Sequence, residues 1–139
     1  MKSAATLLAL SALLLVTACG SGSPTPTQTL NIAGQWQFTT STGNSGTMAL
    51  TQQGTQLTGS LSEADYLNTQ ITGTLTGDSL TATMTATYAG PDHCIGLVNP
   101  VTINFSGAVA ADANSMSGRF VLQHENCFNG SGTWTATRM

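Results

Sequence analysis

The chain has 139 residues and a formal net charge of −3, and only 6% of its residues are charged, against about 25% in an average domain. Its three basic residues, Lys2, Arg119 and Arg138, are too few to form the basic surface that nucleic-acid binding requires. The length fits one domain, whose solubility must depend on Thr, Ser, Gln and Asn.

The first residues are typical of a bacterial lipoprotein signal peptide. Lys2 precedes the apolar run AATLLALSALLLV, which is shorter than a membrane-spanning helix. The next four residues, VTAC at 16–19, resemble the lipobox, where a lipoprotein signal peptidase cleaves before the cysteine. The resemblance implies that residues 1–18 are removed and that Cys19 carries acyl chains such as palmitate, which anchor the protein in the cell envelope. An ordinary secretory peptide with a chance cysteine is the alternative.

Residues 19–29 are expected to form a tether, and residues 30–139 the folded domain. The tether sequence after the cysteine, GSGSPTPTQT, is rich in Gly, Ser, Thr and Pro and has no apolar period. Gly20 stands where an aspartate commonly retains lipoproteins in the inner membrane. We therefore expect the outer membrane, if the host has one.

The folded domain is predicted to be all-β. Apolar residues alternate with Thr and Ser throughout, as in LTATMTATY at 80–88, and no stretch has the period of a helix. One apolar face and one hydroxyl face per strand favour an antiparallel sheet, and closure into an eight-stranded up-and-down barrel removes its exposed edges. A two-sheet β-sandwich is the alternative. The predicted strands are about 34–40, 46–52, 56–62, 69–76, 79–88, 100–109, 115–124 and 132–138.

The connections are predicted to sort into two ends of the barrel, because sequential strands alternate in direction. Three are tight: QGT at 53–55, GD at 77–78 and AADANS at 110–115. Four are longer: STGNSG at 41–46, SEADYLN at 62–68, AGPDHCIGLVNP at 89–100 and ENCFNGS at 125–131. We therefore expect a closed end that holds both chain termini and an elaborated mouth that points away from the membrane.

Glycines interrupt the apolar face of four predicted strands, namely Gly59, Gly73, Gly107 and Gly118. A tightly curved sheet needs glycine kinks to close. Four missing side chains would also leave room for a pocket, unless large neighbours such as Met84, Phe105 and Phe120 fill the space. The sequence leaves both explanations open.

Two cysteines remain after lipidation, Cys94 and Cys127, and both fall in long loops at the predicted mouth. In an exported protein an even pair predicts a disulfide. His93 and His124 flank the cysteines, so two Cys and two His would suit zinc if the thiols were reduced. The disulfide is the preferred prediction, and we expect no metal and no cofactor.

Catalysis is the least expected function. A histidine beside an acid in the sequence is no catalytic dyad unless a nucleophile is placed by it. Glu63 and Asp65 would suit a pair of acids, but carboxylates on a loop are usually only solvated.

The two ends of the domain resemble the lipocalin/calycin superfamily. Gly34-Gln35-Trp36 opens the first strand, and Arg138 ends the last strand on the inward parity. The resemblance implies a lipocalin-like or avidin-like barrel in which Arg138 lies over Trp36 and closes the bottom, with a cation–π contact as the partner of the charge.

An eight-stranded barrel has space for side chains alone or for one small ligand. We expect an envelope lipoprotein that binds a small apolar ligand through its mouth. The alternatives are a module that binds or inhibits another envelope protein through the disulfide-linked rim loops, and a structural surface lipoprotein with a filled core. The expected ligand-binding residues are Phe38, Tyr88, Val101, Ile103, Leu122 and Trp134, with His124 at the rim.

Overall fold

The computed structural model describes residues 29–90, 99–123 and 130–139. The regular structure of these residues is β-strand, and they contain no helix long and apolar enough to cross a membrane. The strands are β1 (Gly34–Thr40), β2 (Ser45–Gln53), β3 (Gln56–Glu63), β4 (Tyr66–Thr76), β5 (Ser79–Tyr88), β6 (Val101–Val109), β7 (Ser115–Gln123) and β8 (Gly130–Arg138).

Each strand pairs antiparallel with its neighbours in sequence, and β1 also pairs with β8. In that last pair Trp36 lies opposite Arg138, and Phe38 lies opposite Ala136. The sheet is therefore a closed barrel with strand order β1 to β8. This confirms the prediction of an eight-stranded antiparallel up-and-down barrel and excludes the sandwich.

The alternation in the sequence decides which way each side chain points, because successive side chains of a strand face opposite sides of the sheet. The apolar side chains form one core inside the barrel, and no polar or charged side chain is fully buried among the described residues. Threonines cover the outside and pair across strands, with hydroxyl oxygens 2.7 Å apart in Thr51 and Thr58 and 3.0 Å apart in Thr74 and Thr81. Neutral hydroxyls thus replace the usual surface charges.

The hairpin of β3 and β4 differs from the prediction of a long loop at 62–68. Strand β3 continues to Glu63 and β4 begins at Tyr66, so only Ala64 and Asp65 connect them. The reason is a β-bulge in β4, where the register with β5 shifts between Leu67 and Gln70. A bulge reverses the inside–outside alternation on its far side, so the period-two pattern of β4 stops there although the strand does not.

Thr69 replaces the missing backbone pairing at the bulge. The backbone N–H of Leu61 donates to Thr69 Oγ1 at 2.8 Å, and the same hydroxyl donates to the Leu61 carbonyl oxygen at 2.6 Å. Asn68 beside it adopts a left-handed φ of 52°, a conformation that asparagine tolerates better than most residues. The side chain of Thr69 therefore holds β3 and β4 together where their backbones do not pair.

The closed end is plugged by residues before β1 and by Arg138. Ile32 and Trp36 are fully buried, and the Trp36 indole N–H donates to the Ile32 carbonyl oxygen at 2.9 Å. The guanidinium carbon of Arg138 lies 4.6 Å from the centroid of the Trp36 ring. The guanidinium also donates at 2.8–3.0 Å to three carbonyl oxygens, those of Asn31, Ala33 and Ala113. The Trp36 ring and the three carbonyl oxygens replace the hydration that the guanidinium loses on burial.

The glycines of β6 and β7 make room for Trp134. Gly107 and Gly118 lie opposite each other. A Cβ at Gly107 would lie 2.9 Å from Cζ2 of Trp134, and a Cβ at Gly118 would overlap the carbonyl oxygen of Ser106. Because both residues are glycine, the Trp134 ring fits over them. Its indole N–H donates to the carbonyl oxygens of Ser106 at 3.3 Å and Arg119 at 3.1 Å.

The other two interior glycines permit the same close approach. A Cβ at Gly59 would overlap the carbonyl oxygen of Ala49, and a Cβ at Gly73 would overlap that of Thr81. None of the four glycines, Gly59, Gly73, Gly107 and Gly118, lines the mouth cavity or the smaller interior space described below. Of the two explanations, tight closure of the sheet therefore accounts for these residues.

Candidate functional site: the mouth cavity

The interior widens into a cavity of about 260 Å³ at the end opposite Arg138 and the segment before β1. We call it the mouth cavity. Its apolar and aromatic lining among the described residues consists of Phe38, Leu61, Tyr66, Met84, Tyr88, Ile103, Phe105, Phe120, Leu122 and Gly130. Its polar rim comes from the strand ends and turns of the β1–β2 and β3–β4 hairpins and consists of Thr40, Thr42, Asn44, Glu63 and Asp65.

Phe38 and Phe105 form the floor of this cavity, and Trp134 packs against both of them. The ring centroids of Phe38 and Phe105 lie 6.0 Å apart with an interplanar angle of 78°, and Trp134 lies 6.2 Å from Phe38 and 6.1 Å from Phe105. The two contacts of Phe105 are edge-to-face and the contact between Phe38 and Trp134 is stacked, and both arrangements are favourable for aromatic pairs. Below the floor lies a space of only about 30 Å³, which is close to the volume of one water molecule.

The structure brings four of the predicted ligand-binding residues together in the mouth cavity: Phe38, Tyr88, Ile103 and Leu122. Trp134 lines the small space below the floor, and Val101 is buried on β6 without lining either space. Trp36 and Arg138 lie at the other end of the barrel, as barrel-closing residues. The predicted roles of Cys19, His93, Cys94, His124 and Cys127 concern positions outside the described residues.

Sequence reasoning missed Glu63 and Tyr66 as lining residues. Both residues fall within the loop that was predicted at 62–68, so neither was assigned to the interior of the barrel. The parity of β3 carried the signal for Glu63, since Leu57, Leu61 and Glu63 are separated by even numbers of residues and so share the inward face. No such signal existed for Tyr66, because the bulge lies between it and the regular part of β4.

Hydrogen bonds hold the Glu63 carboxylate and the backbone of the Asp65 turn in place at the rim. Glu63 Oε1 accepts from Asn44 Nδ2 at 3.1 Å, and its Oε2 accepts from the backbone N–H of Asp65 at 3.0 Å. The carbonyl oxygen of Asp65 accepts from the N–H of Ala89 at 2.8 Å, which links this turn to the end of β5. The Glu63 carboxylate is therefore fixed beside the cavity, and Asp65 lines the same cavity from a turn whose backbone is hydrogen-bonded.

Two tyrosines stand next to these carboxylates. The ring centroids of Tyr66 and Tyr88 are 5.5 Å apart, and the two residues are paired across β4 and β5. Burial is the main cause that raises the pKa of Tyr66 to about 12, and the neighbouring Tyr88, Glu63 and Asp65 raise it further. The mouth thus combines an apolar interior, phenol rings and a negative rim.

No cluster of three or more His, Cys, Asp or Glu side chains suited to a metal ion occurs within the described ranges. No protein-family model, curated protein or solved structure matches the chain. The lining residues form a space that can enclose an apolar group against aromatic rings, with hydrogen-bond acceptors at the opening.

Proposed function

We propose that this protein is a lipid-anchored envelope lipoprotein whose lipocalin-like barrel binds one small apolar ligand through the mouth. The observation that carries the proposal is the mouth cavity of about 260 Å³. An apolar cavity of about 150 Å³ is enough to bind benzene, whereas drug-sized ligands occupy about 300 Å³ or more. The cavity therefore suits a compact ligand with one or two rings or a short chain.

The contrast between the filled lower half of the barrel and the open mouth favours a ligand-binding role over a purely structural one. Protein interiors are normally packed to the density of organic crystals, and the space of about 30 Å³ near mid-height follows that rule. The mouth cavity departs from it, although large side chains line its wall. The alternative of a rim that binds another protein concerns loops outside the described residues, and nothing in the described ranges favours it.

The anchor is proposed from the lipobox resemblance at 16–19. The residues at both ends of the described domain meet at the closed end, where the N–H of Met139 donates to the Gln35 carbonyl oxygen at 3.0 Å. A lipid on Cys19 would therefore hold the closed end towards the membrane and leave the mouth facing away from it.

Native mass spectrometry of protein extracted gently from the host envelope tests both parts of the proposal. We expect a covalent mass increment of acyl chains on Cys19 and a separate, non-covalent small molecule. An unmodified, uncleaved N-terminus would contradict the anchor alone.

A binding assay with a matched pair of variants tests the cavity itself. Leu122 lines the mouth cavity and is 5% exposed, whereas its neighbour Val121 points outward and is 40% exposed. Leu122→Trp should fill the cavity and abolish the fluorescence enhancement of Prodan, an uncharged naphthalene dye, and Val121→Trp should leave it unchanged. The larger ring costs at most about 1–3 kcal/mol of stability where packing is tight, so thermal unfolding is measured on both. Folded Leu122→Trp protein that binds the dye as well as the wild type would contradict the proposed site.

A further inference from the structure

The two arginines, which are the basic side chains of the described residues, lie away from the mouth cavity. Arg138 lies over Trp36 at the closed end, and Arg119 is exposed on the outward face of β7. The remaining basic residue is Lys2, which precedes the predicted cleavage site. An anionic head group at the mouth would therefore find no arginine to pair with in the described part of the chain.

The mouth instead presents two carboxylates, those of Glu63 and Asp65, and hydrogen bonds fix the Glu63 carboxylate. Glu63 shares the inward parity of Leu61 and is only partly exposed, and both of its oxygens accept hydrogen bonds, from Asn44 Nδ2 and from the N–H of Asp65. Because the neutral donors restrict the carboxylate without cancelling its charge, the site keeps a preorganised negative potential. Glu63 and Asp65 both line the cavity beside its apolar wall.

The rings of Tyr66 and Tyr88 add a second attraction for a cation. Their centroids are 5.5 Å apart, and both residues line the same cavity as the carboxylates. The face of an aromatic ring attracts an ammonium group within about 6 Å of its centroid. The same two carboxylates help to raise the pKa of Tyr66, after its burial and the neighbouring Tyr88, which agrees with a negative rim.

We propose that the ligand is a small hydrophobic cation: an apolar group of one or two rings that carries an ammonium head. The apolar part lies on the floor formed by Phe38 and Phe105, and the ammonium lies at Glu63 and Asp65. This inference rests on the proposed function and specifies the charge of its ligand. It assigns low affinity to fatty acids and other anionic amphiphiles, since their head groups would face two carboxylates.

Three probes with one ring system and different head charges test the inference. These are 1-naphthylmethylamine, 1-naphthylmethanol and 1-naphthoic acid, titrated by calorimetry at pH 8, where histidine side chains are neutral, and at low ionic strength. We expect the amine to bind about fivefold more tightly than the alcohol, which corresponds to one charge pair at about 4 Å in a watery environment. We expect the acid to bind more weakly than the alcohol.

A charge-neutralised variant separates the carboxylates from the rest of the protein. Glu63→Gln/Asp65→Asn should remove the preference for the amine over the alcohol. Asp78→Asn/Asp112→Asn changes the net charge equally in turns at the closed end and should keep the preference. Circular dichroism and thermal unfolding establish that each variant is folded.

The outcomes distinguish this inference from the proposed function. If none of the three probes binds the wild-type protein, the proposed function fails together with the inference. If the alcohol binds and the amine binds no more tightly, or the acid binds best, the charge inference alone is overturned. Equal losses for all three probes in Glu63→Gln/Asp65→Asn would also overturn it, because they would assign the carboxylates a structural role.

Discussion

At the scale of single residues, Arg138 shows how this chain accommodates one of its few charges. Its guanidinium lies 4.6 Å from the Trp36 ring centroid and donates to carbonyl oxygens of residues on both sides of the barrel closure. Hydrogen bonds from a charged group to neutral acceptors are among the stronger ones. An arginine suits this place better than a lysine, because its planar group donates in several fixed directions at once.

The titration of Tyr66 gives a prediction at the same scale. Burial, then Tyr88, Glu63 and Asp65, raise the pKa of its phenol from about 10 to about 12 in the folded chain. The folded state therefore keeps the proton when the unfolded state has lost it, so this contribution is fully present below pH 10 and is lost as the pH rises towards 12. Between these values, we expect the free energy of unfolding to fall by about 1 kcal/mol more in the wild type than in Tyr66→Phe, a figure reduced for solvent screening at a half-buried site.

Urea unfolding followed at intervals from pH 9 to pH 12 measures this difference. Tyr66→Phe is a matched control because it keeps the ring beside Tyr88 and removes only the titrating hydroxyl. Curves that run parallel through the whole range would show that the phenol titrates alike in both states, and would contradict the burial of Tyr66 at the mouth.

At the scale of elements, the β-bulge of β4 depends on one side chain. Thr69 Oγ1 accepts from the Leu61 N–H and donates to the Leu61 carbonyl oxygen, at 2.8 and 2.6 Å. Thr69→Val keeps the shape and β-branching but leaves both backbone groups of Leu61 without this partner. We expect it to lower the free energy of unfolding by about 1–3 kcal/mol, the net contribution of two hydrogen bonds at a partly buried site.

Thr69→Ser is the control for this prediction, because it keeps the hydroxyl and removes the methyl group. Urea unfolding monitored by tryptophan fluorescence should place the serine variant much closer to the wild type than the valine variant. Equal stability of the valine variant and the wild type would mean that water or a backbone shift replaces the hydroxyl. The bulge would then be set by the backbone alone.

The elements were predictable where the alternation is regular and not where it breaks. Strand β5, for example, has the predicted bounds, since Leu80, Met84 and Ala86 keep one parity from end to end. Strand β4 was predicted to begin at 69, because the bulge moves Tyr66 to the inside and leaves Leu67 50% exposed. A period-two pattern contains no information on the far side of a bulge.

The candidate site was predictable in part for the same reason. Four lining residues, Phe38, Tyr88, Ile103 and Leu122, lie in strands whose parity and distance from the mouth follow from the topology. Trp134 was expected at the mouth, but its indole turns over the paired glycines and donates to the backbone. Which way a large ring turns depends on the space left by its neighbours across the sheet, and the sequence of one strand does not contain that information.

At the scale of the whole molecule, the barrel has a filled half and an open half. The largest side chains buried below 2% exposure are mostly at or near the closed end, including Ile32, Trp36 and Met116. The mouth cavity of about 260 Å³ lies at the other end. The packed half therefore supplies stability, and the open half is free to form a site.

This division predicts that the short segment before β1 is a structural part of the barrel. Ile32 is fully buried, and its backbone N–H donates to Gln52 Oε1 at 2.8 Å, while Gln52 Nε2 donates to the Leu30 carbonyl oxygen at 2.9 Å. The segment also supplies the acceptor of the Trp36 indole and two of the three acceptors of Arg138. Removing it takes away a buried isoleucine, worth about 1.5–3 kcal/mol, and leaves these donors without partners.

We therefore expect a chain that starts at Gly34 to be less stable than one that starts at Thr29 by about 3–5 kcal/mol, the sum of the lost burial and of one or two hydrogen bonds. Urea unfolding of the two truncated proteins measures the difference, and Ile32→Ala in the longer protein should account for about half of it or more. Both truncations lack the tether, so they differ only in residues 29–33. Equal unfolding midpoints would show that the barrel closes without the segment, and would place the start of the structural domain at β1 itself.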